Sequence, residues 1–214
     1  MFYINELFPL GNSKVWYKKV DIIDTKLLFN YLQTLNYEGG DYLGREIRRE
    51  QRWHHRDATS FNPKWRFFKR WQSYSYETHL DFIENKINNI VNGVLDFDDY
   101  MEHKQKWSSN SILINKYING KNIIPKHRDS ENIFGDNPTI AVYSVGSPRI
   151  IRFTRVGTNN NKKLKGETPI DIKLEEGSLL IMSGTVQKYY VHEILKDDTI
   201  TDTRYSLTLR NHKL

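Results

Sequence analysis

The 214-residue chain contains no cysteine. That absence removes disulfides, zinc–thiolate sites, iron–sulfur clusters and cysteine nucleophiles together. Any chemistry must therefore rest on His, carboxylates, hydroxyls, Lys or Arg. No apolar run approaches the roughly 18 residues that a transmembrane helix needs, and mean hydropathy is −0.69. A membrane partner is not expected. The opening MFYINELFPL lacks the basic start and cleavable apolar stretch of a secretory signal, so no export is expected. No internal repeat is evident. What is present, at 38% hydrophobic residues, suffices to bury a core as one folding unit.

The charge is uneven. Lys and Arg number 32 against 26 Asp and Glu, for a net +6. Between Arg45 and Arg70 lie nine basic residues (Arg45, Arg48, Arg49, Arg52, Arg56, Lys64, Arg66, Lys69 and Arg70) and three acidic ones (Glu46, Glu50 and Asp57). This segment alone equals the excess of the whole chain. Trp53, Phe61, Trp65, Phe67, Phe68 and Trp71 sit among or beside those charges. Cations interleaved with aromatic faces suit phosphates and unstacked bases. A solvated face whose aromatics fill the core is the alternative, and charge alone does not separate the two.

Two helices are predicted first. Asp24 caps TKLLFNYLQTLN, where Leu27, Leu28, Tyr31, Leu32 and Leu35 recur at helical spacing and Gly39-Gly40 is the stop. A second helix runs from about Glu77 to Val94 on an apolar stripe of Leu80, Ile83, Ile87, Ile90, Val91 and Val94. Asp96 to Asp99 read as an acidic turn. After Asn110 the texture changes to short β-branched or aromatic runs: SILINKYI, TIAVYSV, RIIRFTRV, IDIKL, SLLIMS, KYYVHEI and RYSLTLR. Asn159 to Lys163 read as a polar hairpin loop. The expected fold is α+β. A helical, basic extension over residues 1–109 is laid against a β-rich core over 110–214, of sandwich or jelly-roll type.

Without cysteine, a metal site must use His and carboxylate. Three of the seven histidines open a His-x-Asp pair: His55–Asp57, His79–Asp81 and His127–Asp129. On a helix, residues two apart diverge by about 200°, so His79 and Asp81 cannot grip one ion. His55–Asp57 reads as surface charge in a basic loop. His127–Asp129 follows Pro125 in an extended segment, where residues two apart share a face, and His192 lies on a later strand. Two His and one carboxylate on one side of an ion is the arrangement of non-haem Fe(II) oxygenases. Arg204 and Arg210, six apart on one strand, point to one face and require anions if buried, which a dicarboxylate would satisfy.

NKY at 115–117, HRDSE at 127–131, His192 after two tyrosines and RYSLTLR at 204–210 together resemble the AlkB-type 2-oxoglutarate- and Fe(II)-dependent dioxygenases. PTIAVYSVGSPRIIRF and EEGSLLIMSG resemble that family's strands around the site. The likeness covers residues 110–212 and is loose before them. It implies a double-stranded β-helix with iron held by His127, Asp129 and His192. It further implies 2-oxoglutarate held by Asn115 and Tyr117 on one side and by Arg204, Thr208 and Arg210 on the other. The family's usual Asn after the first arginine is Ser206 here, which can still donate and accept.

The resemblance implies O2-dependent demethylation of N-alkylated bases in DNA or RNA, of the 1-methyladenine and 3-methylcytosine type. Succinate, CO2 and formaldehyde would be released, as in DNA repair. The base must leave its stack, so single-stranded or flipped-out nucleic acid is the expected partner. Glu131 matches a position often acidic in the family and is a candidate for reading the base, or else a surface carboxylate pairing with Arg128. REIRREQRWHHRD occupies the place of the family's base-covering lid. Trp53 there is the candidate stacking residue, with His54 and Trp71 behind it, and Arg49 and Arg52 are further candidate substrate contacts. A monomer inside the cell, in cytoplasm or nucleus, is expected. Richness in Asn, Lys and Ile fits an AT-rich genome, of a virus or a parasite. Two other functions remain open: hydroxylation of a protein or small molecule with the same cofactors, and non-catalytic nucleic-acid binding.

Overall fold

The computed structural model describes residues 2–42, 45–57, 61, 71–98, 106–156 and 168–213. The chain runs β1 (Phe2–Tyr3), β2 (Ser13–Lys19), α1 (Thr25–Thr34), β3 (Asp41–Tyr42), β4 (Arg45–Glu46), β5 (Glu50–His55) and α2 (Thr78–Asp98). It continues with β6 (Ser111–Tyr117), β7 (Ile124–His127), α3 (Glu131–Phe134), β8 (Ile140–Gly146), β9 (Arg149–Arg155) and β10 (Ile170–Leu174). The last elements are β11 (Ser178–Gly184), α4 (Val186–Tyr189), β12 (Tyr190–Ile194) and β13 (Arg204–Arg210). Among the described residues no helix is long and apolar enough to cross a membrane.

Seven strands form one sheet in the order β1-β2-β11-β8-β13-β6-β5, and four form a second in the order β10-β9-β12-β7. Their pairing is antiparallel. The two sheets face each other as a jelly roll. Helices α1 and α2 cover the outer face of the larger sheet, so the fold is the one the sequence implied.

Strand alternation builds two cores from single strands. Successive side chains point to opposite faces, and here both faces are covered. Along β13, Tyr205, Leu207 and Leu209 join Leu28 and Leu32 of α1 and Leu80, Ile83, Ile87 and Val91 of α2. Along β11, Leu179 and Ile181 join that same cluster, while Leu180 and Met182 turn inward to meet Ile151, Phe153, Ile172 and Ile194 of the smaller sheet. The inward residues of β13 are Arg204, Ser206, Thr208 and Arg210, all buried. A polar row on the inner face of a jelly roll is the local choice that makes a site.

Asp24 caps α1 as expected, accepting from the backbone N–H groups of Lys26 and Leu27. The α1 stripe is narrower than its sequence spacing suggested, because Leu27 is 63% exposed. Helix α2 runs on through Asp98, so Asp96–Asp98 are helical where a turn was expected. The basic segment also differs from its reading as a loop. Glu50–His55 is a strand, pairing residue for residue with β6 from Glu50↔Lys116 to His55↔Ser111. His55 is 0% exposed and no surface charge. Strand β2 was not legible either, and it pairs with β11 from Lys19 to Ser13. The larger sheet thus crosses residue 110 freely, with β1, β2 and β5 drawn from the first half. Lys64, Trp65, Arg66, Phe67, Phe68, Lys69 and Arg70, and the Asn159–Lys163 loop, lie outside the described residues.

Candidate metal and cosubstrate site

Strands β7 and β12 pair so that His127 and His192 are direct cross-strand partners. Their ring centroids are 4.3 Å apart. Nδ1–H of His127 donates to the Pro125 carbonyl at 2.9 Å, which leaves its Nε2 lone pair free. Fixing one imidazole nitrogen so that the other can ligate is the usual support of a metal-binding His. Asp129 follows β7, and its backbone N–H donates to Oε1 of the buried Gln187 at 2.9 Å. Gln187 arrives from α4, which the chain reaches through Gly184 at φ +63°. A Cβ there would stand 1.8 Å from the Asn12 carbonyl oxygen, so only glycine fits.

Ligand atoms of His127, Asp129 and His192 all lie within 4.8 Å of one another. Asp129 Oδ1 receives Nη2 of Arg210 at 2.7 Å, while Oδ2 is buried without a hydrogen bond and 3.8 Å from His192 Nε2. Burial would raise the Asp129 carboxyl, but the paired Arg210 guanidinium outweighs it and holds the group below its usual range. Burial lowers both imidazoles, each disfavoured further by nearby positive charge and favoured by Asp129. A carboxylate and two neutral imidazoles around an unsatisfied acceptor form a donor set that fits a divalent transition metal.

The polar row of β13 meets β6 across the ladder, with Arg204 opposite Tyr117 and Ser206 opposite Asn115. Asn115, Tyr117, Arg204, Ser206, Thr208 and Arg210 line one cavity with the two histidines and Asp129, of about 790 Å³ including its part open to solvent. Arg204 Nη2 donates to Ser144 Oγ at 3.0 Å, but its Nε and Nη1 are buried without acceptors, as is Nε of Arg210. Burial pushes the Arg204 guanidinium downward, opposed by Tyr117 and reinforced by Arg149. Buried guanidinium N–H groups without acceptors mark anion positions. Two of them beside a metal-ligand set fit the two carboxylates of 2-oxoglutarate.

The candidate substrate residues part company. Arg49 lines the cavity and donates through Nε to Asn115 Oδ1 at 2.7 Å. Arg52 does not reach it. It stands on the helix-facing side of β5, stacked on Tyr74 at 3.5 Å and bonded to His54 Nε2 at 2.9 Å. The one-residue offset from Gln51, the partner of Asn115, puts it on the other face. Trp53 shares the inner face but is 1% exposed, packed among Phe61, Leu113 and Phe134. Besides Tyr117, the aromatic rings that line the cavity among the described residues are Phe61 and Trp71, joined by a backbone bond from Phe61 N–H to the Trp71 carbonyl at 2.9 Å. Glu131 lies outside the lining and accepts from the Asn137 backbone N–H at 3.2 Å. Gln187 and Ser144 carried no motif that could have marked them.

An antiparallel jelly roll with two His, one Asp and two inward arginines defines the class of non-haem iron, 2-oxoglutarate-using oxygenases. A family model described as the 2OG-Fe(II) oxygenase superfamily matches residues 22–210, and the chain belongs to that superfamily. Its sequence relatives are of the AlkB type. It is 30% identical over 116 residues to the DNA oxidative demethylase ALKBH2 of Arabidopsis thaliana, covering 47% of this chain and 37% of that protein. It is 32% identical over 111 residues to alpha-ketoglutarate-dependent dioxygenase alkB homolog 3 of Bos taurus, covering 51% of this chain and 39% of that one. The match thus spans well under half the length of either relative. The solved structure of OsALKBH1 superimposes with a TM-score of 0.65 at 16% identity, covering 94% of this chain and 96% of that one, and shows the shared fold. Fe(II), 2-oxoglutarate and O2 are the cofactor and cosubstrates of this superfamily.

Proposed function

We propose that this protein is a dioxygenase that removes alkyl groups from the ring nitrogens of nucleic-acid bases, of the 1-methyladenine and 3-methylcytosine type. The observation that carries the reading is a single cavity. It holds the His127–Asp129–His192 set, the inward guanidiniums of Arg204 and Arg210 and the aromatic wall of Phe61 and Trp71.

Bound iron, 2-oxoglutarate and O2 supply the oxidation, giving succinate and CO2 and converting an N-methyl group to formaldehyde. The protein's residues do the positioning. His127, Asp129 and His192 hold the metal, with Gln187 steadying the Asp129 backbone and Arg210 its carboxylate. Arg204 and Arg210 take the cosubstrate's carboxylates, with Asn115, Tyr117, Ser206 and Thr208 beside them. Phe61, Trp71 and Leu113 keep that side of the cavity apolar, which excludes water and suits a base plane extruded from its stack. One chain supplies every group, so the reading needs no second copy. A substrate of DNA or RNA places the protein in the cytoplasm or nucleus.

The test is formaldehyde release from oligonucleotides bearing 1-methyladenine or 3-methylcytosine, in DNA and in RNA, against unmethylated controls. Methylated strands should release it only with added Fe(II) and 2-oxoglutarate, and H127A should abolish both formaldehyde and succinate. Equal release from unmethylated strands would exclude the dealkylase reading.

A further inference from the structure

Arg149 opens β9 and is 1% exposed, and it is not among the residues lining the cavity. It shares the inward face of the smaller sheet with Ile151 and Phe153, so it points toward the larger one. Its guanidinium carbon lies 5.5 Å from the centroid of the Tyr117 ring, and that of Arg204 lies 5.1 Å from the same ring. Two cations, one from each sheet, thus meet on one aromatic side chain.

The hydrogen bonds of Arg149 go to backbone carbonyls. Nη1 donates to Asn119 at 3.2 Å, and Nη2 to Gly120 at 3.2 Å, to Asn122 at 2.8 Å and to Leu195. Three of these acceptors lie on the connection from Tyr117 to the strand of His127, and the fourth just past the strand of His192. Among the described residues neither Arg149 nor Arg204 has a carboxylate within salt-bridge reach. Burial pushes the Arg149 guanidinium downward, with Tyr117 and Asp197 opposing through space. Arg149 in turn disfavours the Arg204 cation. Two buried positive charges without a counter-anion cost desolvation and mutual repulsion, and a carboxylate at Arg204 relieves both. Arg210 is bound to the metal ligand Asp129, so Arg204, six residues along β13, stands at the end of the site away from the metal. The far carboxylate of 2-oxoglutarate belongs there.

We infer that Arg149 is a positioning residue for the cosubstrate. It holds the Tyr117 ring beside Arg204 and supplies a second positive charge behind the far carboxylate. That charge selects a dicarboxylate over a 2-oxo acid with a neutral tail. The inference rests on 2-oxoglutarate lying between Arg204 and Arg210, and it is independent of the nucleic-acid substrate.

The experiment is calorimetry without O2 on the full chain loaded with Mn(II). The ligands are 2-oxoglutarate and 5-methyl-2-oxohexanoate, in which an isopropyl group replaces the far carboxylate. Arg149→Gln keeps a donor for the carbonyls without the charge, and Arg149→Lys keeps the charge. Arg149→Gln should weaken 2-oxoglutarate about tenfold and the analogue less than about twofold, the scale of one unit charge lost in a partly screened interior. Arg149→Lys should stay within about threefold of the wild type on both ligands, because the cation remains. Asp197→Asn removes the carboxylate that partly offsets Arg149 and should tighten 2-oxoglutarate about twofold, the scale of an exposed charge. That variant carries the test where an Arg149 variant shows no cooperative thermal melt. Equal losses on both ligands, or equal losses in Arg149→Gln and Arg149→Lys, would make Arg149 a structural tie and overturn the inference. So would an unmoved 2-oxoglutarate affinity in Asp197→Asn or in folded Arg149→Gln. A wild type that binds the analogue as tightly as 2-oxoglutarate overturns the placing of the carboxylate at Arg204, and this inference with it.

Discussion

Arg210 and Asp129 are bound to each other, Nη2 to Oδ1 at 2.7 Å, while the second oxygen of the same carboxylate faces His192 at 3.8 Å. In the proposed reading the arginine that takes one end of the cosubstrate also orients a metal ligand, so the two occupancies would be linked through one side chain. R210M should lower affinity for 2-oxoglutarate at least about tenfold, and metal affinity by about 10- to 100-fold, the usual cost of losing such a supporting partner. R210K should recover part of the metal affinity, since charge returns without the fork. Calorimetry with Mn(II), with and without 2-oxoglutarate, measures both. Unchanged metal affinity in R210M would break the link.

Gln187 has no contact with substrate in the proposed reading, yet its Oε1 accepts from the Asp129 backbone N–H inside the protein. Leucine has nearly the same shape and cannot accept. Q187L should therefore fold and lose about 10- to 100-fold in metal affinity or turnover, and Q187E should lose less because it still accepts. A thermal melt alongside the turnover assay separates this from unfolding.

Neighbouring leucines of α1 should differ sharply. Leu28 is 0% exposed between helix and sheet, whereas Leu27 is 63% exposed. L28A should cost about 2–5 kcal/mol of stability, and L27A within about 0.5 kcal/mol, both read from urea denaturation.

Acid should destabilise the protein through His54. Burial, with Arg52 adding to it and the Ser75 carbonyl and Glu77 opposing, lowers its pKa to about 4 from an unfolded value of 6.5. Its Nδ1–H donates to the Ser75 carbonyl at 2.7 Å and its Nε2 accepts from Arg52 Nε at 2.9 Å, so a second proton would set two donors against each other. Between those pKa values the unfolded chain binds more protons than the folded one, so stability rises with pH. The contribution is fully present above about pH 6.5 and declines as pH falls toward 4. Urea midpoints at pH 7 and pH 5 should differ, and the difference should shrink in H54Q.

How much was legible follows from the physics of each feature. The strands after Asn110 and the register of Arg204 and Arg210 depend on an alternation written into adjacent residues. The apolar stripe of α2 is equally local, as is the Asp24 cap. Strand β5 was not legible because REQRWHH carries charge and ring side chains on both faces. What makes it a strand is the edge of β6, with which it pairs over its whole length. That pairing also decides which face of the sheet Arg52 and Trp53 take.

By itself the sequence determined the chemistry available: without cysteine, a His-x-Asp pair on an extended segment, a later His and two arginines in phase on one strand. Those are choices of residue type and local spacing, which the chain carries in any conformation. Only the tertiary structure decided that Arg49, of the described Arg48, Arg49, Arg52 and Arg56, lines the cavity, that Phe61 and Trp71 wall it where Trp53 does not, and that Gln187 braces Asp129. Each of those depends on which strand edge or helix end arrives from a distant part of the chain. A side chain's face is fixed by that arrival, because a shift of one residue in pairing turns it to the opposite side of the sheet.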